Sequence, residues 1–306
     1  MTGLLTVLTK AFAFIMIIVT GYVLKKKGIF HANDFYLISK IVIRITLPCA
    51  IISNFSNMTM DNSLLLLCLV GIAANVIMVT LGFVVNLKRS REMRAFDMVN
   101  VSGYNIGNFT LPFVQSFLGP VGFAATSLFD AGNAIMCTGV TYTLASMTKG
   151  TGERTSVGSV IRTLFSSMPF DAYVLMTLLA VLRIKLPEVV VTYAATIGNA
   201  NAFLALFMIG IGFELHMETE NLNHIVRVLA LRYGMAILLA LAAYFLLPFS
   251  LEVRQAMTLV AFGPISSVAT AFTGRLNGDV ELSSAINSFS VVLSIITITI
   301  ALIIIL

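Results

Sequence analysis

The feature that most constrains this chain is a succession of unbroken apolar runs, of which Ile295 to Leu306 is one. Strands of an outer-membrane barrel alternate polar and apolar residues over about 10-residue segments, so continuous runs point to helices instead. One helix crosses the hydrocarbon with about 20 residues, so ten would use about 200 and leave only short connectors in a chain of 306. Charged residues make up 11% of the chain, too few to cover a water-facing surface, where about 25% is usual. The expected fold is therefore an all-α polytopic membrane protein with ten transmembrane helices.

Turns and charges divide the chain into spans near 3–24, 34–53, 62–87, 94–118 and 121–146, then 167–184, 188–213, 224–247, 253–274 and 281–306. Placing the connectors after odd-numbered spans in the cytoplasm puts thirteen Lys and Arg inside, counting Arg227, Arg232 and Arg275, against Arg183, Lys185 and Arg254 outside. Lys10, Lys40 and Arg44 fall within spans. Basic residues favour the cytoplasmic side, so both termini are expected outside. With five spans per half, the second half starts inside and is inverted relative to the first. The halves are 1–146 and 167–306, joined by a linker over 147–166 that contains Gly150, Gly152 and Gly158.

The net charge of +5 and pI near 9.2 come from these short basic connectors, which topology explains without a nucleic-acid partner. Cys49, Cys68 and Cys137 lie in apolar runs with no metal-ligand spacing and read as buried thiols. The first apolar run precedes Lys25, Lys26 and Lys27, the reverse of a secretory signal, and reads as an uncleaved span. No phosphate-binding loop, metal motif or Ser/His/Asp set is visible, so an enzyme is not expected. No cofactor is expected either, apart from coupling to Na+ or H+. Glu153, Glu214, Glu218, Glu220 and Glu252 fall in connectors or at span ends and read as solvated, and His31, His216 and His224 sit near the cytoplasmic interface.

The fourth and ninth spans are interrupted in the same way. Asn105, Gly107, Asn108, Thr110 and Pro112 form an unusually polar stretch in the fourth, and Gly263, Pro264, Ser266, Ser267 and Thr270 in the ninth. Proline removes a backbone donor and clashes with the preceding turn, and unwound backbone at membrane depth is tolerated only against protein or a cavity. Breaks at matching positions of two halves are the best sequence pointer to a transporter binding site. Crossing near the midplane, they would present half-helix N-termini, whose free N–H groups favour an anion. Each polar residue read singly is as well explained by hydrogen bonding between helices.

Three stretches carry a resemblance to the auxin efflux carrier family. They are Leu37 to Pro48 in the second span, Asn105 with Pro112 and Gly119 in the fourth, and Pro264 to Arg275 with Asp279, Ser283 and Ser284 near the C-terminus. The resemblance implies an inverted five-plus-five repeat with crossed, broken helices 4 and 9, like bile-acid and sodium/proton transporters. It also implies a scaffold of 1–53 plus 167–213, often dimeric, and a moving transport domain of 62–146 plus 224–306. By position, Asn105 and Pro112 match the first crossover and Pro264 the second. The chain lacks the long cytoplasmic loop of plant members, and Ala269 stands where many relatives repeat a proline.

Arg44 lies about ten residues into its span, where a cation costs at least about 2.5–3.5 kcal/mol. Its planar guanidinium suits a carboxylate, and relatives usually have an uncharged residue here, so it is a candidate substrate contact. An internal pair with Asp130, or snorkelling to the inner face, is the plainer reading. Asp130 reads as the only carboxylate well inside the first half and, with Asn133, is the candidate for ion coupling; a static helix contact explains it equally well. Asn287, with Ser288 and Ser290, adds polar atoms on the last span.

The expected function is secondary transport of a small organic anion, a mono- or dicarboxylate such as malate or malonate, or an auxin-like acid, by elevator-type alternating access. The candidate substrate residues are Arg44, Asn105, Asn108, Thr110, Pro112, Pro264, Ser266, Ser267 and Asn287. A sodium/proton exchanger on the same fold is the alternative, weakened because neither break contains a carboxylate. A receptor that keeps the fold without transport is a third reading. The expected partners are the carboxylate, membrane lipid and a second copy bound through the scaffold helices, in a prokaryotic inner membrane.

Overall fold

The computed structural model describes residues 2–31, 33–58, 61–151, 155–213 and 222–306. The predicted solvated positions Glu153, Glu214, Glu218 and Glu220, together with Gly152, Arg154 and His216, lie outside the described residues. Among the described residues every regular element is a helix.

The helices are α1 (Thr2–Lys26), α2 (Asp34–Ser56), α3 (Asn62–Val84), α4 (Arg91–Val101), α5 (Leu111–Ile135), α6 (Thr141–Lys149) and α7 (Val157–Leu164). They continue with α8 (Met168–Val181), α9 (Glu188–Gly212), α10 (Leu222–Leu246), α11 (Leu251–Ala261), α12 (Val268–Arg275) and α13 (Val280–Ile305). Among the described residues seven helical segments are long and apolar enough to cross a membrane, or eight if α7 and α8, bent by 81°, form one span. This is an integral multi-pass membrane protein. The count of eight falls two short of ten for two physical reasons. Arg91–Lys149, 59 residues interrupted at Ser102–Asn105 and kinked at Gly119, counts as a single segment, and α11 and α12, at 11 and 8 residues, are each too short to cross.

Prolines shape the helices locally. Pro48 cannot donate to the carbonyl of residue 44 and its ring crowds that carbonyl; α2 widens into a π turn at Val42–Thr46 just before it. The same solution recurs before Pro112, where Ile106–Thr110 is a π turn. Gly119, with φ 61, turns the chain ahead of Pro120, where the sequence places a span boundary. Side chains that would keep helix backbones apart are missing at the tightest crossings. A Cβ on Gly210 would fall 2.1 Å from the Ile18 carbonyl oxygen, joining α9 to α1, and one on Gly132 would fall 2.0 Å from that of Cys68, joining α5 to α3. The three cysteines are free, and each is half-buried rather than fully buried.

Candidate functional site

Both predicted breaks are present. The first leaves Ser102–Asn105 without helical structure between α4 and the π turn, with Gly103 at φ 75; the second lies between α11 and α12. Backbone groups freed at such depth find no water and each costs several kcal/mol unless paired. Asparagines and serines on neighbouring helices supply the partners. Asn75 Oδ1 accepts from the Gly103 N–H at 3.1 Å, and Asn133 brackets Tyr104, accepting from its N–H at 3.1 Å and donating to its carbonyl at 2.9 Å. On the other side Ser290 Oγ accepts from the Ile265 N–H, Asn287 Nδ2 donates to the carbonyls of Ile265 and Ser266, and Ser294 Oγ donates to that of Phe262. The two breaks also join directly, with the Asn105 N–H donating to Pro264 O at 2.9 Å.

Arg232, on α10, is fully buried, and its guanidinium donates at 2.8 Å to both Val101 O and Gly263 O while lying 4.2 Å from the centre of the Tyr104 ring. Val101 is the last residue of α4, and Gly263 lies two residues past the end of α11. A helix C-terminus carries about −0.5 charge, so two of them balance one guanidinium. The orientation count placed Arg232 among the inner-loop cations, and the structure corrects this: it is an interior cation whose counter-charge is backbone. Its setting in Leu229 to Tyr233, about as deep in its span as Arg44, is the sequence signal that could have found it.

The opposite ends of the breaks face a cavity of about 390 Å³. Its polar wall includes Asn105, Asn108, Ser267, Thr270 and Asn287; across from it lie Phe35 and Tyr36 of α2 and Met208 and Ile209 of α9. Among the described residues no charged side chain lines it. Pro112 has no N–H, so the carbonyl of Asn108 four residues earlier is left without its helical donor, and Asn108 Oδ1 is buried with no partner.

Of the predicted substrate residues, Asn105, Asn108, Ser267 and Asn287 therefore meet in one cavity. Thr110, Pro112, Pro264 and Ser266 are buried in the walls of the breaks behind it. Arg44 is exposed on α2 and is not among the cavity residues. Asp130 Oδ1 accepts from Asn133 Nδ2 at 2.9 Å and its Oδ2 from the Tyr173 hydroxyl of α8 at 3.1 Å, behind the first break, so it has no pair with Arg44. It is also not alone: Asp97, fully buried on α4, accepts from Asn86 Nδ2 at 2.8 Å and lies 2.7 Å from His224 Nε2 and 3.7 Å from Arg227. His224 thus ties α10 to α4 rather than facing water.

A multi-pass helical bundle whose two interrupted segments meet beside a polar cavity has the construction of a membrane transporter. A family model described as membrane transport protein matches residues 6–302. The chain belongs to that family, the auxin efflux carriers, as Leu37 to Pro48 and the two interrupted spans suggest. A comparison with curated proteins finds no match.

Proposed function

We propose that this protein is a secondary transporter of a small organic acid with one anionic group and an apolar body. The observation that carries the proposal is the cavity itself. Its polar wall offers side-chain amides and hydroxyls beside the N-terminal start of α12, an arrangement suited to an anion, and the lining from α2 and α9 is mainly aromatic and aliphatic, with Asn33 its one amide. With no charged side chain among the described lining residues, a dicarboxylate would carry a second charge that none of them offsets. An auxin-like monocarboxylate therefore fits better than malate, and a sodium/proton exchanger, which would need an acidic group there, fits less well.

In this reading Arg91–Lys149 makes two crossings and α11 with α12 make one broken crossing, which together with the remaining spans gives ten in an inverted five-plus-five repeat. Spans four and nine cross at the Asn105–Pro264 contact. Alternating access then moves 62–146 and 224–306 past 1–53 and 167–213, which carry the cavity's apolar wall, and Asp130 with Asn133 is retained as the coupling candidate for H+ or Na+. Basic connectors orient the protein with both termini outside a prokaryotic inner membrane, with the cavity open to the cytoplasm.

Counterflow in proteoliposomes tests the substrate class. Labelled indole-3-acetate is expected to exchange faster than labelled malate. If folded protein exchanges neither acid nor any other carboxylate, the proposal fails.

A further inference from the structure

Away from the substrate cavity, a second cavity of about 190 Å³ opens between α3 and α10. Ala73 and Ala74 of α3 and Ala243 of α10 make room for it, while Ile77 and Leu246, which also line it, are exposed on the flank of the bundle. At its inner end lies Tyr104, the residue next to Asn105 in the first break. Tyr104 is 2% exposed, and its hydroxyl is buried with no hydrogen-bond partner. The backbone of Tyr104 is held by Asn133 and its ring lies against the Arg232 guanidinium, so the hydroxyl is the one polar group of this residue left unmatched.

We propose that this cavity binds an uncharged single-chain amphiphile from the bilayer, its alkyl chain between α3 and α10 and its terminal hydroxyl or carbonyl oxygen accepting a hydrogen bond from Tyr104. The lining is otherwise apolar, which selects an alkyl chain. A phenol that can donate selects an acceptor at the chain's tip, and leaving such a group unpaired in the interior is unfavourable. The charge of Arg232 is already balanced by two helix ends, so nothing at this site calls for an anion. A volume of about 190 Å³ holds about six water-sized groups, which matches a chain near hexanol in length. An occupant here touches the first break from the side opposite the substrate and stiffens the segment that carries Asn105.

The test uses the full chain in phosphatidylcholine nanodiscs and a hexanol bearing a photoreactive diazirine at its far end. Labelled peptides are expected to come predominantly from 70–77 and 239–247, with labelling reduced at least about fivefold by excess 1-hexanol and little by hexane at the same concentration. Tyr104→Phe keeps the ring and its stacking and removes only an unpartnered group, so the variant is expected to fold; it should lose labelling to a similar degree. Ala74→Leu, which fills the cavity and leaves Tyr104 in place, should lose it too. Labelling spread evenly over the lipid-facing helices, or unchanged in either variant, would overturn the proposal. The readout involves no transport, so it stands or falls independently of the substrate class.

Discussion

The backbone N–H of Asn105 donates to the carbonyl oxygen of Pro264 at 2.9 Å, although 159 positions separate the two residues in a chain of 306. One bond thereby closes the two interrupted helices on each other, and each break satisfies a group that the other exposes. A displacement of either segment is felt by the second, which places Asn105 and Ser267 in the same cavity at a fixed separation.

Arg232 holds the other side of that junction. Arg232→Ala removes two charge-assisted hydrogen bonds, each worth about 1.5–3 kcal/mol, and leaves two helix C-termini uncompensated. We expect a loss of roughly 3–5 kcal/mol, read as a large drop in thermal midpoint in detergent. Arg232→Lys keeps the charge but lacks the planar fork that reaches both carbonyls, so its midpoint should fall between those of the native protein and the alanine variant. An alanine variant as stable as the native protein would mean that the helix ends are satisfied in another way.

Asn108 and Arg44 separate the structural reading of the site from that of the sequence. Asn108→Ala removes a cavity amide and should weaken substrate binding about two- to tenfold, the worth of one hydrogen bond. Arg44→Ala, on an exposed face of α2, should leave apparent affinity within about twofold, since surface changes away from a site cost about 0.5 kcal/mol or less. Concentration-dependent counterflow measures both. The opposite ranking would return Arg44 to the binding site.

Much of this architecture is legible in the residue order, for reasons that are local. Apolar length marks a helix in lipid, and Pro112 and Pro264 with the polar residues before and after them mark interrupted helices, so the two breaks and the cavity residues Asn105, Asn108 and Ser267 follow from spacing, while Asn287 stands out as a polar residue of the last helix. Three features do not. The direction of Arg44 depends on the π turn at Val42–Thr46, where one added residue rotates everything after it by about 100°. The role of Arg232 depends on carbonyls 131 and 31 positions away, and positive-inside counting treats a deep cation as one at the interface. The brackets made by Asn75 and Asn133 around Gly103 and Tyr104 join separate helices, and nothing in the spacing of single asparagines distinguishes them from ordinary interhelical glue.

Close backbone contacts set a further expectation. Gly71 and Gly132 bring α3 and α5 together, and a Cβ at either would fall 2.2 or 2.0 Å from a carbonyl oxygen of the other helix. That oxygen belongs to helical backbone, so relief requires moving a whole helix. Gly71→Ala or Gly132→Ala should cost at least about 1–3 kcal/mol, the usual range for overpacking, seen as a lower thermal midpoint. Gly158→Ala has open space around its Cβ and should be neutral in the same assay.

Asp130 and Tyr173 give the last expectation, because their 3.1 Å hydrogen bond joins α5 to α8, which lie on opposite sides of the proposed sliding boundary. Motion between the two bodies must break this bond, so it stabilises the conformation seen here relative to any conformation in which α8 has moved away. Tyr173→Phe removes it and leaves the ring packing in place. A hydrogen bond worth about 0.5–1.5 kcal/mol, or up to about 3 with a charged acceptor, shifts a two-state equilibrium by roughly 2- to 150-fold. The population with the cavity open as described should fall accordingly. A single cysteine introduced at Ser284, which lines the cavity, reports that population by its rate of modification with a membrane-impermeant thiol reagent, once Cys49, Cys68 and Cys137 are replaced by serine or alanine. Slower modification in the Tyr173→Phe background is the expected result. An unchanged rate would show that Asp130 and Tyr173 move together, and that the sliding boundary lies elsewhere than between α5 and α8.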